Sequence, residues 1–440
     1  MMTYSYRKIA AISWPLILEL VIQTLIGTTD TIFLGHVGEV ELGACAIGGL
    51  IYLTIFMIEE GFATGGQILM SVYNGEKKYK KIGKVFWLTN NMILVLSIVA
   101  IVLIFMLAKS ILQLTIKDEI VQTAILIYAV PRCIGLIFSG IKSVICAFLV
   151  AINITRHIAI SSVILLISNI GLDWWLIFGG FGIEPMGMKG AAIASVGAEI
   201  IAASYLVGYI LLKINLPKYN FNKFLLFDYA LLKDIIKKSI YITLLTFFSF
   251  GSWLYFFVEI EKLGVEALAI SNILKSLYAC LCIVANGLST ATISIVGNLI
   301  GAKKYNEVVP TLKRILKFGA VPYYGGFLLM IIFAKPILGI FTNNEMLINA
   351  AIKPLWVMLF ANLITLPEYI YFYALYGVNK LKLAFVIETT SVIIYVLAIR
   401  IIIGIYQVEL AWCYMVDFWY HSLALPIAYW YMKTKKWQEK

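Results

Sequence analysis

Charge is what this sequence has least of. Only 13% of its 440 residues are Asp, Glu, Lys or Arg, against 62% hydrophobic, and the mean hydropathy is +0.92. A soluble domain of this length has no interior large enough for so much apolar side chain. Cysteine is scarce as well. The six (Cys45, Cys133, Cys146, Cys280, Cys282 and Cys413) fall inside apolar stretches without metal-site spacing, and read as packing residues. The three histidines, His36, His157 and His421, are scattered near the ends of such stretches. A nucleotide-binding P-loop, an HExxH zinc motif and a nucleophile elbow are all missing. These absences argue against an enzyme, against a cofactor and against ATP-driven work by this chain alone. The opening MMTYSYRKIA lacks a cleavable signal pattern, so the first apolar stretch is expected to stay.

What is present is a run of long apolar segments. Twelve spans are expected near 9–36, 41–73, 84–109, 120–150, 157–180, 188–212, 234–260, 266–299, 314–335, 346–377, 383–405 and 409–432. The net charge of +11 would suit nucleic acid if it were clustered on a soluble face, but it alternates between joints instead. One side holds 25 of the 35 basic residues, including the GEKKYKKIGK joint, the Lys213–Lys238 connector and the C-terminal MKTKKWQEK. The opposite joints (HVGEVE, KDE, GIEP, EIEKLGVE) are rich in acids. The positive-inside rule places both termini in the cytoplasm, in a multi-pass protein of the inner membrane. The partners implied are the bilayer and a small molecule, with no nucleic acid and no obligate protein partner.

Sliding the sequence against itself by 226 positions exposes a duplication. Ser13 meets Ser239, Gly38 meets Gly264 and Gly61 meets Gly287. Gly75, Lys77, Lys78 and Tyr79 meet Gly301, Lys303, Lys304 and Tyr305, and Asn153 meets Asn379. An offset of six spans keeps direction through the membrane, so the halves are parallel repeats. The expected fold is an all-α polytopic membrane protein of two six-helix lobes about a pseudo-two-fold axis along the membrane normal. The expected division is an N-lobe of 1–212, a cytoplasmic linker of 213–233 and a C-lobe of 234–440. Paired repeats of this kind suit alternating access.

The halves differ in their buried acids. Asp30 slides onto Phe256 and Asp173 onto Ile399. Both aspartates lie seven or eight residues before an outer joint, roughly 10 Å down their helices. A carboxylate at that depth is costly and tends to have a function. Two together form a proton site or, with hydroxyl and amide oxygens, a site for Na⁺ held by Asp30 and Asp173. Thr28, Thr29 and Asn169 are the candidate neighbours, Asn169 being one turn before Asp173. Other intramembrane charges include Glu19, Glu60, Arg132, Glu199, Glu388, Arg400 and Asp417, read chiefly as interhelical pairs. Glu59, Lys142, Lys275 and Glu368 are the candidates to line a cavity. Pro15 removes a hydrogen bond from the first helix and makes it easier to bend.

Four motifs resemble the multidrug and toxic compound extrusion (MATE) transporters. They are Trp14-Pro15 with Asp30-Thr31 and Leu34-Gly35 following, the joints NGEKKY and IGAKKY, Asn169-x-x-x-Asp173, and GMKGAAIAS at 187–195. The resemblance implies twelve helices in two lobes and export of organic, often cationic or amphipathic, compounds by H⁺ or Na⁺ antiport. In the DinF-like bacterial branch it implies a cation-binding network at Asp30, Asn169 and Asp173, with Ser195 standing where a threonine is common. The NorM-like branch places acids in spans seven and ten, where this chain has Ser249 and Thr365, with Glu368 one turn on. The rival reading is a flippase for lipid-linked saccharide or peptidoglycan precursors, whose basic cavity Arg132, Lys142 and Lys275 would supply.

Overall fold

The structure, a computed structural model, describes residues 4–180, 182–222 and 228–438. Lys223, in the expected linker, and Lys440 lie outside the described residues. Among those described, regular structure is helical apart from one isolated antiparallel bridge between Gly180 and Ile183. The first half contains α1 (Tyr6–Gly35), α2 (Glu39–Gly75), α3 (Tyr79–Thr115), α4 (Glu119–Ile134), α5 (Leu136–Ala151), α6 (Arg156–Phe178), α7 (Gly187–Lys213) and the short α8 (Leu216–Tyr219). The second contains α9 (Tyr229–Glu261), α10 (Val265–Gly301), α11 (Tyr305–Ile332), α12 (Ala334–Gly339), α13 (Glu345–Ala361), α14 (Thr365–Gly377), α15 (Leu381–Ala398), α16 (Leu410–Cys413) and α17 (Met415–Lys433). A π-helical segment, Ile399–Ile405, extends α15.

Ten of these spans are long and apolar enough to cross a bilayer, and the bent pair α4–α5 makes an eleventh. The twelfth expected span, 409–432, corresponds to α16 and α17. It falls outside that set because Asp417, His421 and its many Trp and Tyr residues dilute the apolar run. Large apolar side chains such as Val95, Ile98, Val102, Phe105 and Met106 stand exposed along α3, as a helix bathed in lipid requires.

The duplication is written into the backbone. Lys77 and Lys303, and likewise Asn153 and Asn379, are repeat partners, and all four adopt positive φ (60°, 58°, 62° and 62°). Asn enters that left-handed region more readily than most residues, because its short polar side chain bonds locally. Asp118 caps α4 by accepting from the Ile120 and Val121 amides, and its repeat partner Asn344 caps α13 through Met346 and Leu347. Such a cap answers amides that have no partner within the helix. Close packing repeats as well. A Cβ on Gly61 would collide with Thr243, and one on Gly287 would lie 2.6 Å from Ile17; residues 17 and 243 are themselves repeat partners.

The chain folds as two compact units, one of Leu18–Thr243 and one of Met1–Ile17 with Leu244–Lys440. In the first, α6 and α7 are the most closely associated pair. The small residues of GMKGAAIAS allow that approach: a Cβ on Gly190 would sit 2.5 Å from the Leu176 carbonyl oxygen. Ala191 and Ala192 join Leu34, Ala44, Ile125, Ala129 and Ile177 in a buried apolar cluster. That cluster draws on the ends of α1 and α6, the helices that carry Asp30 and Asp173.

Candidate functional site

Asp30 and Asp173 each lie five residues before the last residue of their helix, on α1 and α6. Asn169 precedes Asp173 by one turn on the same face. Asp173 and Asn169 are essentially without exposure, at 0% and 1%, and Asp30 is half-buried. The three side chains are close enough to interact with one another. Asp30 Oδ1, both Asp173 oxygens and both polar atoms of the Asn169 amide are buried without a well-formed hydrogen bond. Leaving buried polar atoms unsatisfied is costly, and two carboxyls with an amide have the chemistry to take up a proton or a small cation. Arg132 acts on both carboxylates electrostatically, but its guanidinium is held elsewhere.

That anchor is a second buried polar group. Arg132 Nη1 donates to Glu199 Oε1 at 2.7 Å, and the guanidinium lies 3.7 Å from the centre of the Tyr52 ring. Tyr52 donates its hydroxyl to the same Glu199 oxygen at 2.8 Å. Lys142 Nζ approaches Glu19 Oε1 at 3.5 Å, and Ser143 donates to Glu60. Two of the three bases that suggested an anion-friendly cavity, Arg132 and Lys142, are thus each met by an acid within the same unit.

Thr28 and Thr29 do not reach the acids with their hydroxyl protons; each donates back to its own helix, to Thr24 and to Leu25 and Ile26. Ser195 is buried on α7. Pro15 lies inside α1, which continues through it. Glu59 is wholly buried and accepts from Ser97 Oγ at 2.7 Å. Lys275 is exposed, over the rings of Trp253 and Phe257. Among the described residues no group of three or more His, Cys, Asp or Glu gathers as a metal centre.

The second unit carries acids that repeat matching does not find. Phe256 and Ile399, the partners of Asp30 and Asp173, are buried apolar residues. Glu368, Glu388 and Asp417 are nevertheless withdrawn inside the unit. Glu388 accepts from Ser249 at 2.5 Å and from Tyr420. Asp417 accepts from Asn362 at 3.2 Å and Tyr395 at 3.3 Å. Glu368 Oε2 lies 3.4 Å from His421 Nδ1 without a hydrogen bond between them, so His421 is buried beside an acid. Arg400 does not pair with Glu388 on its own span; it lies 3.9 Å from Glu259. The signal for this network was present in the acids themselves, but nothing in the spacing joined α9, α14, α15 and α17.

A duplicated, all-helical, multi-pass protein with polar groups sequestered among its helices has the build of a membrane transporter, not of an enzyme. The MatE family model matches residues 15–175 and again 239–401, and the chain belongs to that family. A probable multidrug resistance protein NorM from Photorhabdus laumondii is 25% identical over 369 residues, 80% of this chain and 77% of that protein. A second, from Neisseria meningitidis, is 22% identical over 91% of this chain and 89% of its own length. In fold, the chain matches the outward-facing conformation of a multidrug resistance MATE family transporter of the MOP superfamily. The TM-score is 0.88 at 15% identity, over 98% of this chain and 96% of the other.

Proposed function

We propose that this transporter exports small organic compounds, cationic or amphipathic, in exchange for inward H⁺ or Na⁺, and that the coupling ion binds at Asp30, Asn169 and Asp173. The carrying observation is the set of five buried polar atoms on α1 and α6 without a well-formed hydrogen bond. An incoming cation neutralises the pair and satisfies those atoms, which favours a rearranged α1 bent near Pro15. Coupling then requires the drug and the ion to prefer different states, because an ion bound equally to both shifts nothing. The working division remains an N-lobe of 1–212 bearing the ion site and a C-lobe of 234–440, joined through a cytoplasmic connector, with both termini in the cytoplasm. The acids on α1 and α6 favour the DinF-like branch, although the curated relatives described above carry the name NorM.

The test is efflux of a fluorescent organic cation from liposomes holding purified protein, with pH and sodium gradients imposed separately. One gradient should drive efflux in the parent protein. Asp30→Asn and Asp173→Asn should each lower gradient-driven efflux at least tenfold while protein yield is maintained. Full efflux in either variant removes that residue from coupling.

A further inference from the structure

The duplication is uneven a second time, on α10. Asn272, Lys275 and Ser276 stand exposed on one face of that helix. Their repeat partners on α2 are Ala46, Gly49 and Leu50, an apolar row. Lys275 Nζ lies 4.9 Å from the centre of the Trp253 ring and 5.4 Å from that of Phe257, both on α9. Under the same offset Trp253 and Phe257 pair with Gly27 and Thr31, the residues on either side of Asp30 along α1. The Lys275 ammonium therefore lies in the second repeat at the depth where Asp30 lies in the first.

Lys275 also differs from Arg132 and Lys142 in being unanswered. Arg132 is held by Glu199 and Lys142 by Glu19, whereas among the described residues Lys275 forms no ion pair and meets two aromatic rings instead. A ring face attracts an ammonium but leaves its charge uncompensated. Both α9 and α10 are long and apolar enough to cross the bilayer. An exposed ammonium, amide and hydroxyl on one face of such a helix are too costly to turn to hydrocarbon, so this face opens on water. Ser276 spends its proton on the Asn272 carbonyl at 3.2 Å, which leaves the Lys275 ammonium and the Asn272 amide as the donors. Two donors one turn apart, beside half-buried Trp and Phe rings, are complementary to a molecule with an anionic head and a flat apolar body.

We propose that Lys275 and Asn272 bind the carboxylate of an amphipathic aromatic acid, whose ring system lies against Trp253 and Phe257. The site belongs wholly to the second unit and is distinct from the Asp30–Asp173 cluster. The inference deepens the proposed export of amphipathic compounds and rests on it for a role in transport: the exported class then includes molecules that carry a carboxylate. The binding itself is tested without a gradient.

Equilibrium binding of radiolabelled 2-naphthoate to the full chain in lipid nanodiscs is measured against empty nanodiscs, with the uncharged 2-naphthamide in parallel. Naphthoate should bind saturably to the protein. Lys275→Gln should weaken that binding at least tenfold and leave naphthamide unchanged, because only the carboxylate uses the charge. Lys275→Arg should stay within about threefold of the parent, which separates loss of charge from loss of fold. Trp253→Ala should weaken both ligands. Naphthoate uptake no greater than that of empty nanodiscs overturns the proposal. So does unchanged naphthoate affinity in Lys275→Gln, or an equal loss of naphthamide in that variant. If Asp30→Asn keeps full efflux while naphthoate binding holds, the coupling assignment fails and the Lys275 site stands; if efflux is lost in Asp30→Asn but naphthoate does not bind the parent, the reverse holds.

Discussion

The Arg132–Glu199 pair gives the sharpest test of how this bundle is held together. Its side chains are only 15% and 10% exposed, and the N···O distance is 2.7 Å. Water therefore screens it little. Removing one partner of such a pair leaves a buried charge uncompensated and costs about 3–5 kcal/mol, whereas replacing both by apolar residues of similar volume is often neutral. Arg132→Met and Glu199→Leu should each lose about that amount, and the double variant should recover all but the cost of the Tyr52 hydroxyl left without its acceptor. Tyr52→Phe, which deletes only the hydroxyl donated to Glu199, should lose about 1.5–3 kcal/mol. The pair also braces a bend: α4 and α5 meet at 42° beside Pro131, and a Cβ on Gly135 would lie 2.5 Å from Glu199 Oε2 and 3.1 Å from Arg132 Nη1. Reversible unfolding in mixed micelles of the parent and the three variants closes the double-mutant cycle. If the single variants each cost less than about 1 kcal/mol and the double merely adds them, the pair is solvated and the reasoning is wrong.

Two further outcomes follow from the repeat. Gly61→Val and Gly287→Val fill equivalent helix contacts, so both should destabilise, each by about 1–3 kcal/mol, in the same micelle assay; a silent change at either position would break the equivalence. Asp118→Ala and Asn344→Ala remove equivalent caps and should each cost about 1 kcal/mol, measurable as faster amide exchange in the first turns of α4 and α13.

Much of the fold is readable from local rules. Apolar runs locate the spans, although α11 starts at Tyr305 and not near 314, and among the described residues α17, thinned by Asp417 and His421, lacks the hydropathy of the others. Depth along a helix is also local, which is why spacing alone matches Asp30 with Asp173. Their meeting with Asn169 follows because the ends of α1 and α6 contribute Leu34 and Ile177 to one apolar cluster. Thr28 and Thr29 show the limit: sequence neighbours of Asp30, they spend their hydroxyl protons on their own helix.

The second unit marks the boundary more clearly. Ser249 and Glu388 are 139 residues apart and meet at 2.5 Å, and His421 reaches Glu368 from another helix. The sequence alone determined the spans, the duplication, the matching left-handed turns and the matching caps. Each of these depends on hydrophobicity or on backbone sterics within a few neighbouring residues. Tertiary structure alone decided which buried acids are answered and which are left bare. A contact of about 3 Å depends on the rotation and tilt of each helix against the next, and a periodic apolar pattern leaves both undetermined.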